Sequence, residues 1–247
     1  MKETEAIIER VTQVNRGFQH LELAIDESLR SIKPGQSLLV NQDEEVWHPY
    51  LREHWWPVNV SKTKLIIERP IEHRYDSGQV VSVIGPVGQP YRFRRTLRNV
   101  LLIAHGTPPT TLLMTIPWLL GNNIRVTMVL LGAATDYATK HINPEVEVIH
   151  GEDDVTWPDQ VMTVGWADQV FVTVAPNEEV ERFQAVMDRF KELRAEVPRN
   201  YMFGVFQPVI ACGTGACFSC VLQMRKGTQL ICTEGPAFDL TQVVLPT

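Results

Sequence analysis

All four cysteines of this 247-residue chain lie between positions 212 and 232, spaced Cys212-x4-Cys217-x2-Cys220-x11-Cys232. A disulfide framework would brace more of the chain than one late stretch, so thiols clustered in this way are read as metal ligands. The first two gaps are those of a plant-type [2Fe–2S] loop, in which a tight turn wraps the cluster. The residues between them suit that task. Gly213 and Gly215 permit positive φ, so the loop can curl with its N–H groups toward inorganic sulfide. Ala216 and Ser219 are small enough not to push the loop off the metal, and Phe218 is placed to screen one side from water. A structural zinc site also takes four thiolates, but it pairs two short Cys-x-x-Cys-type knuckles, whereas here one run is joined by a distant single cysteine. The expected metal ligands are therefore Cys212, Cys217, Cys220 and Cys232, and the expected chemistry is electron transfer.

Ahead of this segment the chain changes character twice. Apolar and β-branched runs at 6–11, 18–25, 37–40, 58–61, 64–68 and 79–84 are punctuated by Pro34-Gly35, Asp76-Ser77-Gly78 and Gly85-Pro86. Strands at that spacing predict a small antiparallel barrel over residues 1–97. From about Arg98 the runs become continuously apolar, at 99–104 and 124–131, the mark of strands buried on both faces. Helices are predicted from about Pro109 to Leu120 and from Asn177 to Ala195. The second has Val180, Phe183, Val186, Met187, Phe190 and Leu193 on one stripe. Further strands at 146–149 and 170–174 complete an alternation that predicts an α/β domain with a parallel sheet over 98–200. An aromatic strand from Tyr201 opens the third module, the cluster segment 201–247.

Net charge is −6 with basic residues scattered, which argues against a nucleic-acid partner. No run approaches the roughly 20 apolar residues of a membrane span. The opening MKETEAIIER lacks the apolar core of a signal peptide. A cytoplasmic location is the expectation.

The cysteine segment ACGTGACFSC, followed by CTEGPAFD, resembles the C-terminus of the dihydroorotate dehydrogenase electron-transfer subunit family, on Cys232, Gly235, Pro236, Phe238 and Asp239. KPGQSLLV at 33–40 and GPVGQPY at 85–91 are similar to that family's Pro-Gly-Gln strand and Gly-Pro-Leu-Gly turn. The resemblance implies the ferredoxin–NADP reductase-like superfamily. Its fold is a multi-module α+β one: an antiparallel β-barrel of the FAD-binding type, an α/β nucleotide-binding-like domain, then a small [2Fe–2S] segment. It also implies FAD as a second cofactor and a catalytic partner in a hetero-oligomer.

Departures from the family pattern are as informative. The family's flavin strand reads Arg-Pro-x-Ser, and here Trp56-Pro57-Val58-Asn59 stands in its place. Tryptophan cannot neutralise a pyrophosphate, while Asn59 retains a hydrogen-bonding side chain; Arg52, Arg69 or Arg74 are the cations that could replace the missing charge. The family's glycine-rich turn into the α/β domain is reduced to Gly106 in His105-Gly106-Thr107-Pro108-Pro109, and the two prolines remove N–H donors from an anion-binding helix start. Where the family has Cys-Gly-Pro, this chain has Val174-Ala175-Pro176. The resemblance thus places flavin or nucleotide contacts at Trp56, Pro57, Asn59 and Gly106, while the pattern argues against an NAD(P)H site. FAD held through substituted contacts, FAD lost, and a flavin supplied by the partner are all compatible with it.

Among other residues, His105 reads as a loop histidine at a strand end, and Trp55-Trp56 as either a ring-stacking pair or barrel core. Glu152-Asp153-Asp154 reads as a solvated loop, and His48, His54 and His73 lack the spacing of a helical metal site. Three functions fit: an electron-transfer subunit of an oxidoreductase, an NAD(P)H-dependent FAD/[2Fe–2S] reductase in its own right, or a non-redox subunit whose tail is stapled by metal.

Overall fold

The computed structural model describes residues 2–42, 51–61 and 63–245; His48 lies outside them. Seven strands make the first sheet: β1 (Lys2–Gln13), β2 (Phe18–Ala24), β3 (Ser37–Asn41), β4 (Glu53–Trp55), β5 (Pro57–Val60), β6 (Lys64–Pro70) and β7 (Val80–Val87). Every pairing is antiparallel, in the order β4-β3-β7-β1-β2-β6-β5. The two edge strands, β4 and β5, are separated in the chain by Trp56 alone. One residue carries the backbone from one edge to the other, so the sheet curls into a nearly closed barrel. Alternating residues such as Ile8, Leu21, Leu23, Leu65, Ile67 and Val83 fill its interior. Strand β4, at three residues, has no alternation to read and is absent from the sequence expectation.

The second sheet takes β8 (Asn99–His105), β9 (Arg125–Leu131), β10 (Glu147–Gly151), β11 (Gln169–Val174) and β12 (Met202–Val205) in parallel. Its order is β10-β9-β8-β11-β12, extended by one further C-terminal strand. Along β8, Leu101 and Ile103 enter one core layer while Val100, Leu102 and Ala104 enter the other, which explains the unbroken apolar run. The chain leaves β8 in one direction for β9 and β10 and returns on its other side at β11. The switch point of the sheet therefore lies between β8 and β11.

Where one helix is expected after β8, the chain makes two, α1 (Thr110–Leu113) and α2 (Thr115–Gly121). Pro117 has no N–H to donate to the carbonyl of Leu113, the last residue of α1, so the ladder breaks there. Helix α3 (Gln160–Trp166) carries no apolar stripe: Val161 and Met162 are exposed while Thr163 and Val164 are buried. Helix α4 (Glu179–Leu193) is the amphipathic one, burying Phe183, Val186, Met187 and Phe190. No helix among the described residues is long and apolar enough to cross a membrane.

The C-terminal stretch forms a hairpin, β13 (Val221–Gln223) and β14 (Thr228–Leu230), then one helical turn, α5 (Ile231–Glu234). Strand β15 (Ala237–Asp239) then pairs antiparallel with β12. The barrel and the second sheet interlock: Leu39 and Val87 enter one core layer of the α/β part, Tyr91 and Val58 the other, and Met114 enters the barrel core.

Candidate functional site

None of the four cysteines is in a disulfide; Cys220 and Cys232 are buried, Cys212 is half-buried and Cys217 exposed. Their sulfurs meet in two pairs, Cys212 with Cys217 and Cys220 with Cys232. The loop curls as its glycines require, with φ of +69° at Gly213 and +79° at Gly215. Backbone N–H groups of Thr214 and Cys217 point at the Cys212 sulfur, the former at 3.5 Å, and they hold this thiol below its ordinary range. The Cys232 N–H lies 3.4 Å from the Cys220 sulfur. Burial and the neighbouring Cys220 sulfur push the Cys232 thiol up. Four free thiols in two pairs, ringed by inward N–H donors, fit a cluster with two cysteines on each iron. Phe218 departs from its expected screening role: its side chain is 67% exposed.

The fourth cysteine is held from the barrel side. Beyond β7, the N–H groups of Gly88 and Gln89 donate to the carbonyls of Cys232 (3.1 Å) and Gly235 (2.6 Å), and the Gln89 side chain donates to the Thr233 carbonyl. Gly88 has φ +82°, and a Cβ there would stand 2.9 Å from the Gly235 oxygen. Close backbone approach is thus the physical content of the Gly-Pro-Val-Gly turn. The Ile231 N–H donates to the Cys220 carbonyl at 2.9 Å, which ties the two cysteine-bearing segments together.

A crevice of about 460 Å³ opens between the barrel and the α/β part, lined by His54, Trp56, Arg69, Thr107, Gln207 and Ile210 among others. Trp56 is buried and its ring lies 4.6 Å from that of His54, so the wall is aromatic. Its partner Trp55 is fully buried in the barrel core. The arginines near the crevice are engaged. Arg52 donates to Ser82 and pairs with Glu3, and Arg69 pairs with Glu53 and donates to the Tyr75 hydroxyl. Arg74 is exposed and does not line the crevice. This pocket suits a flat ring such as a flavin and offers no uncommitted guanidinium, among the described residues, to a pyrophosphate. Of the other expected contacts, Pro57 is buried within β5, while Asn59 bonds to the Val60 N–H and lines a different cavity.

Gly106 sits at the switch point with φ +68°, but Arg182 from α4 lies over it, its Cζ 3.0 Å from where a Cβ would be. Asp153 covers Gly132 in the same way at the end of β9. The two side chains pair at 2.8 Å, Arg182 also pairs with Glu178, and His105 is within 2.7 Å of Arg182 and 3.2 Å of Asp153. Burial, then the Arg182 charge, lowers the His105 pKa. Asp153 is exposed on its loop as expected, at 63%, and in addition forms an ion pair with Arg182 that covers Gly106 and Gly132 at the strand ends. Sequence reading misses it because Asp153 and Arg182 meet only across the strand ends. It misses equally a buried group centred on Glu68, whose partners come from positions 20, 110, 137 and 141.

Residues 207–244 match the family described as the iron–sulfur cluster binding domain of dihydroorotate dehydrogenase B. The chain is 29% identical over 183 residues to the dihydroorotate dehydrogenase B (NAD(+)) electron transfer subunit of Shouchella clausii, covering 68% of this chain and 66% of that protein. It is 25% identical over 175 residues to the subunit of the same description from Clostridium perfringens, covering 68% of each. The match thus spans about two thirds of the length of these curated relatives. Among solved structures, that of the NADH-dependent reduced ferredoxin–NADP oxidoreductase superposes with a TM-score of 0.74 at 15% identity, covering 97% of this chain and 90% of that one. The Amycolatopsis cytochrome P450 reductase gives a TM-score of 0.62 at 15% identity, over 85% of this chain and 71% of that one. At such identities the likeness establishes the fold alone, that of the ferredoxin-reductase type.

Proposed function

We propose that this chain, a divergent member of the dihydroorotate dehydrogenase electron-transfer subunit family, is the iron–sulfur electron-transfer subunit of an oxidoreductase and works beside a separate catalytic subunit in a hetero-oligomer. The relatives named above are electron-transfer subunits by description, which supports the partner but does not name this chain's substrate. When bound, the [2Fe–2S] cluster supplies one-electron transfer. Cys212, Cys217, Cys220 and Cys232 are the residues that would hold it.

The observation that carries this reading is how the thiol loop is placed. On its outer side Cys217 and Phe218 are exposed, where a partner can approach. On its inner side Ile210, a wall of the Trp56 crevice, is two residues from Cys212. Chain geometry keeps those two Cα atoms within about 7.6 Å. A ring in the crevice and metal on the loop would thus be near neighbours. Trp56 and His54 supply the aromatic wall for such a ring, and the engaged arginines leave its phosphates poorly held. FAD is therefore read as the second cofactor of this fold, bound through its ring and loosely retained. The same ion pair that covers Gly106 and Gly132 disfavours the reading as an NAD(P)H reductase in its own right.

The test is anaerobic purification with iron, sulfide and flavin analysis, followed by dithionite reduction under electron paramagnetic resonance. The expected result is about two irons and two sulfides per chain, a signal on reduction, and flavin below one per chain. Cys212→Ser and Cys232→Ser should each lose iron. Zinc without iron, or a signal that dithionite leaves unchanged, would refute the electron-transfer role.

A further inference from the structure

The barrel and the α/β part meet at a buried carboxylate. Glu68 lies on β6 directly opposite His20 on β2, and its side chain has no solvent exposure. From the α/β part, the segment after β9 brings Tyr137 and His141 against it, and Thr110 opens α1 beside it. Glu68 Oε2 is 3.4 Å from His20 Nε2 and 3.6 Å from His141 Nε2, and the three ligand atoms all lie within 4.8 Å of one another. The Tyr137 hydroxyl donates to the same Oε2 at 2.6 Å and is 2.8 Å from His141 Nε2, while Thr110 Oγ1 donates to Oε1 at 2.6 Å.

Among the described residues no lysine or arginine pairs with this carboxylate; its neighbour Arg69 is turned to Glu53. A buried ionised carboxylate without a cation is costly, and such groups are normally paired or bound to metal. Two imidazole nitrogens and one carboxylate oxygen are a donor set for a borderline divalent ion, zinc foremost. Metal–ligand bonds of 2.0–2.1 Å set tetrahedral donors roughly 3.3 Å apart, close to both carboxylate–imidazole distances seen here. The Tyr137 hydroxyl lies beside them as a hydrogen-bond donor to the same carboxylate oxygen. The group is also reachable: a cavity of about 320 Å³, lined by His20, His141, Asn59 and Asn143 among others, leads to it. Both histidines are partly exposed on that side, at 21% and 18%.

We propose that His20, Glu68 and His141 form a divalent zinc-class metal site, separate from the cysteine loop, that staples the barrel to the α/β part. Two ligands come from barrel strands and one from the connection between β9 and β10, so the bound ion links the barrel to that connection. The role is structural: it fixes a wall of the crevice that Glu68 and Thr110 also line.

The test uses the full-length, tag-free, cluster-loaded protein, treated with chelator and then titrated with Zn²⁺ alone. Zinc and iron per chain and the melting temperature are measured together, for the wild type, His141→Ala and the more conservative His20→Gln. The wild type should take up one zinc per chain with iron unchanged and a rise in melting temperature. Either variant should weaken zinc binding at least tenfold and abolish that rise. His20→Gln, at a partly exposed strand position, keeps the test open should His141→Ala fail to fold. Zinc uptake equal in wild type and His20→Gln, zinc gained only as iron is lost, or no uptake at all would each overturn the proposal.

Discussion

His54 is half-buried, with its Nε2 2.6 Å from the Ser37 hydroxyl and its ring against Trp56. Burial pushes its pKa down to about 4 from the ordinary 6.5. As pH falls, the unfolded chain takes up this proton first, so the fold loses stability between neutral pH and about pH 4. Between pH 7 and pH 5 the loss should be about 1–2 kcal/mol. Urea unfolding of wild type and His54→Gln at the two pH values checks this, and the variant should show a smaller difference by that amount. A pH response identical in both would mean that His54 takes up its proton as readily in the fold as in the unfolded chain. At this scale the cysteines were legible because their spacing is itself the geometry of the loop. Trp56 was legible as a departure, but not Asn59, whose side chain bonds to the next backbone N–H and faces another cavity.

Among the elements, the turn after β7 has the clearest role, since it presses backbone against backbone at Cys232. Gly88→Ala would strain a φ of +82° and set a Cβ 2.9 Å from the Gly235 oxygen. A cost of about 2–3 kcal/mol is expected, with faster loss of iron to chelator. Gly78, at φ +92° with nothing within 4 Å, is the matched control. Gly78→Ala should cost only about 1–2 kcal/mol of φ strain and leave iron retention unchanged. Equal effects at both sites would show that the contact with Gly235 contributes nothing. Six barrel strands and four of the five parallel ones follow runs visible in the chain, and the fifth, β12, lies within its aromatic run. Helix α3 and strand β4 do not, the first for want of a stripe and the second for want of length.

For the whole molecule, the consequence is a reductase scaffold with one crevice open and the other closed by its own side chains. NADH up to ~1 mM should show no saturable binding to the purified chain, an affinity weaker than about 4 kcal/mol. Arg182→Ala removes the cover from Gly106 but leaves Pro108 and Pro109 at the helix start, so it should not create a tight site. Micromolar NADH binding by the wild type, followed by fluorescence or calorimetry, would contradict the closed crevice. The open crevice and the thiol loop are joined by the short path Ile210–Cys212, and the turn at Gly88 couples the barrel to the same loop.

What the sequence determined alone is whatever short stretches of chain encode by themselves. The cysteine spacing set the curled thiol loop, alternation set the barrel strands, and unbroken apolar runs set the buried sheet. Each is local, because backbone geometry alone relates residues a few positions apart. Tertiary structure decided the rest: that Arg182 and Asp153 close one crevice, that Trp56 walls the other, and that His20, Glu68 and His141 converge. Those side chains lie tens to more than a hundred positions apart, and only strand register and sheet packing bring them within hydrogen-bonding reach. The cysteine loop belongs to both accounts, since its curl is written in the chain but its fourth cysteine is held from the barrel.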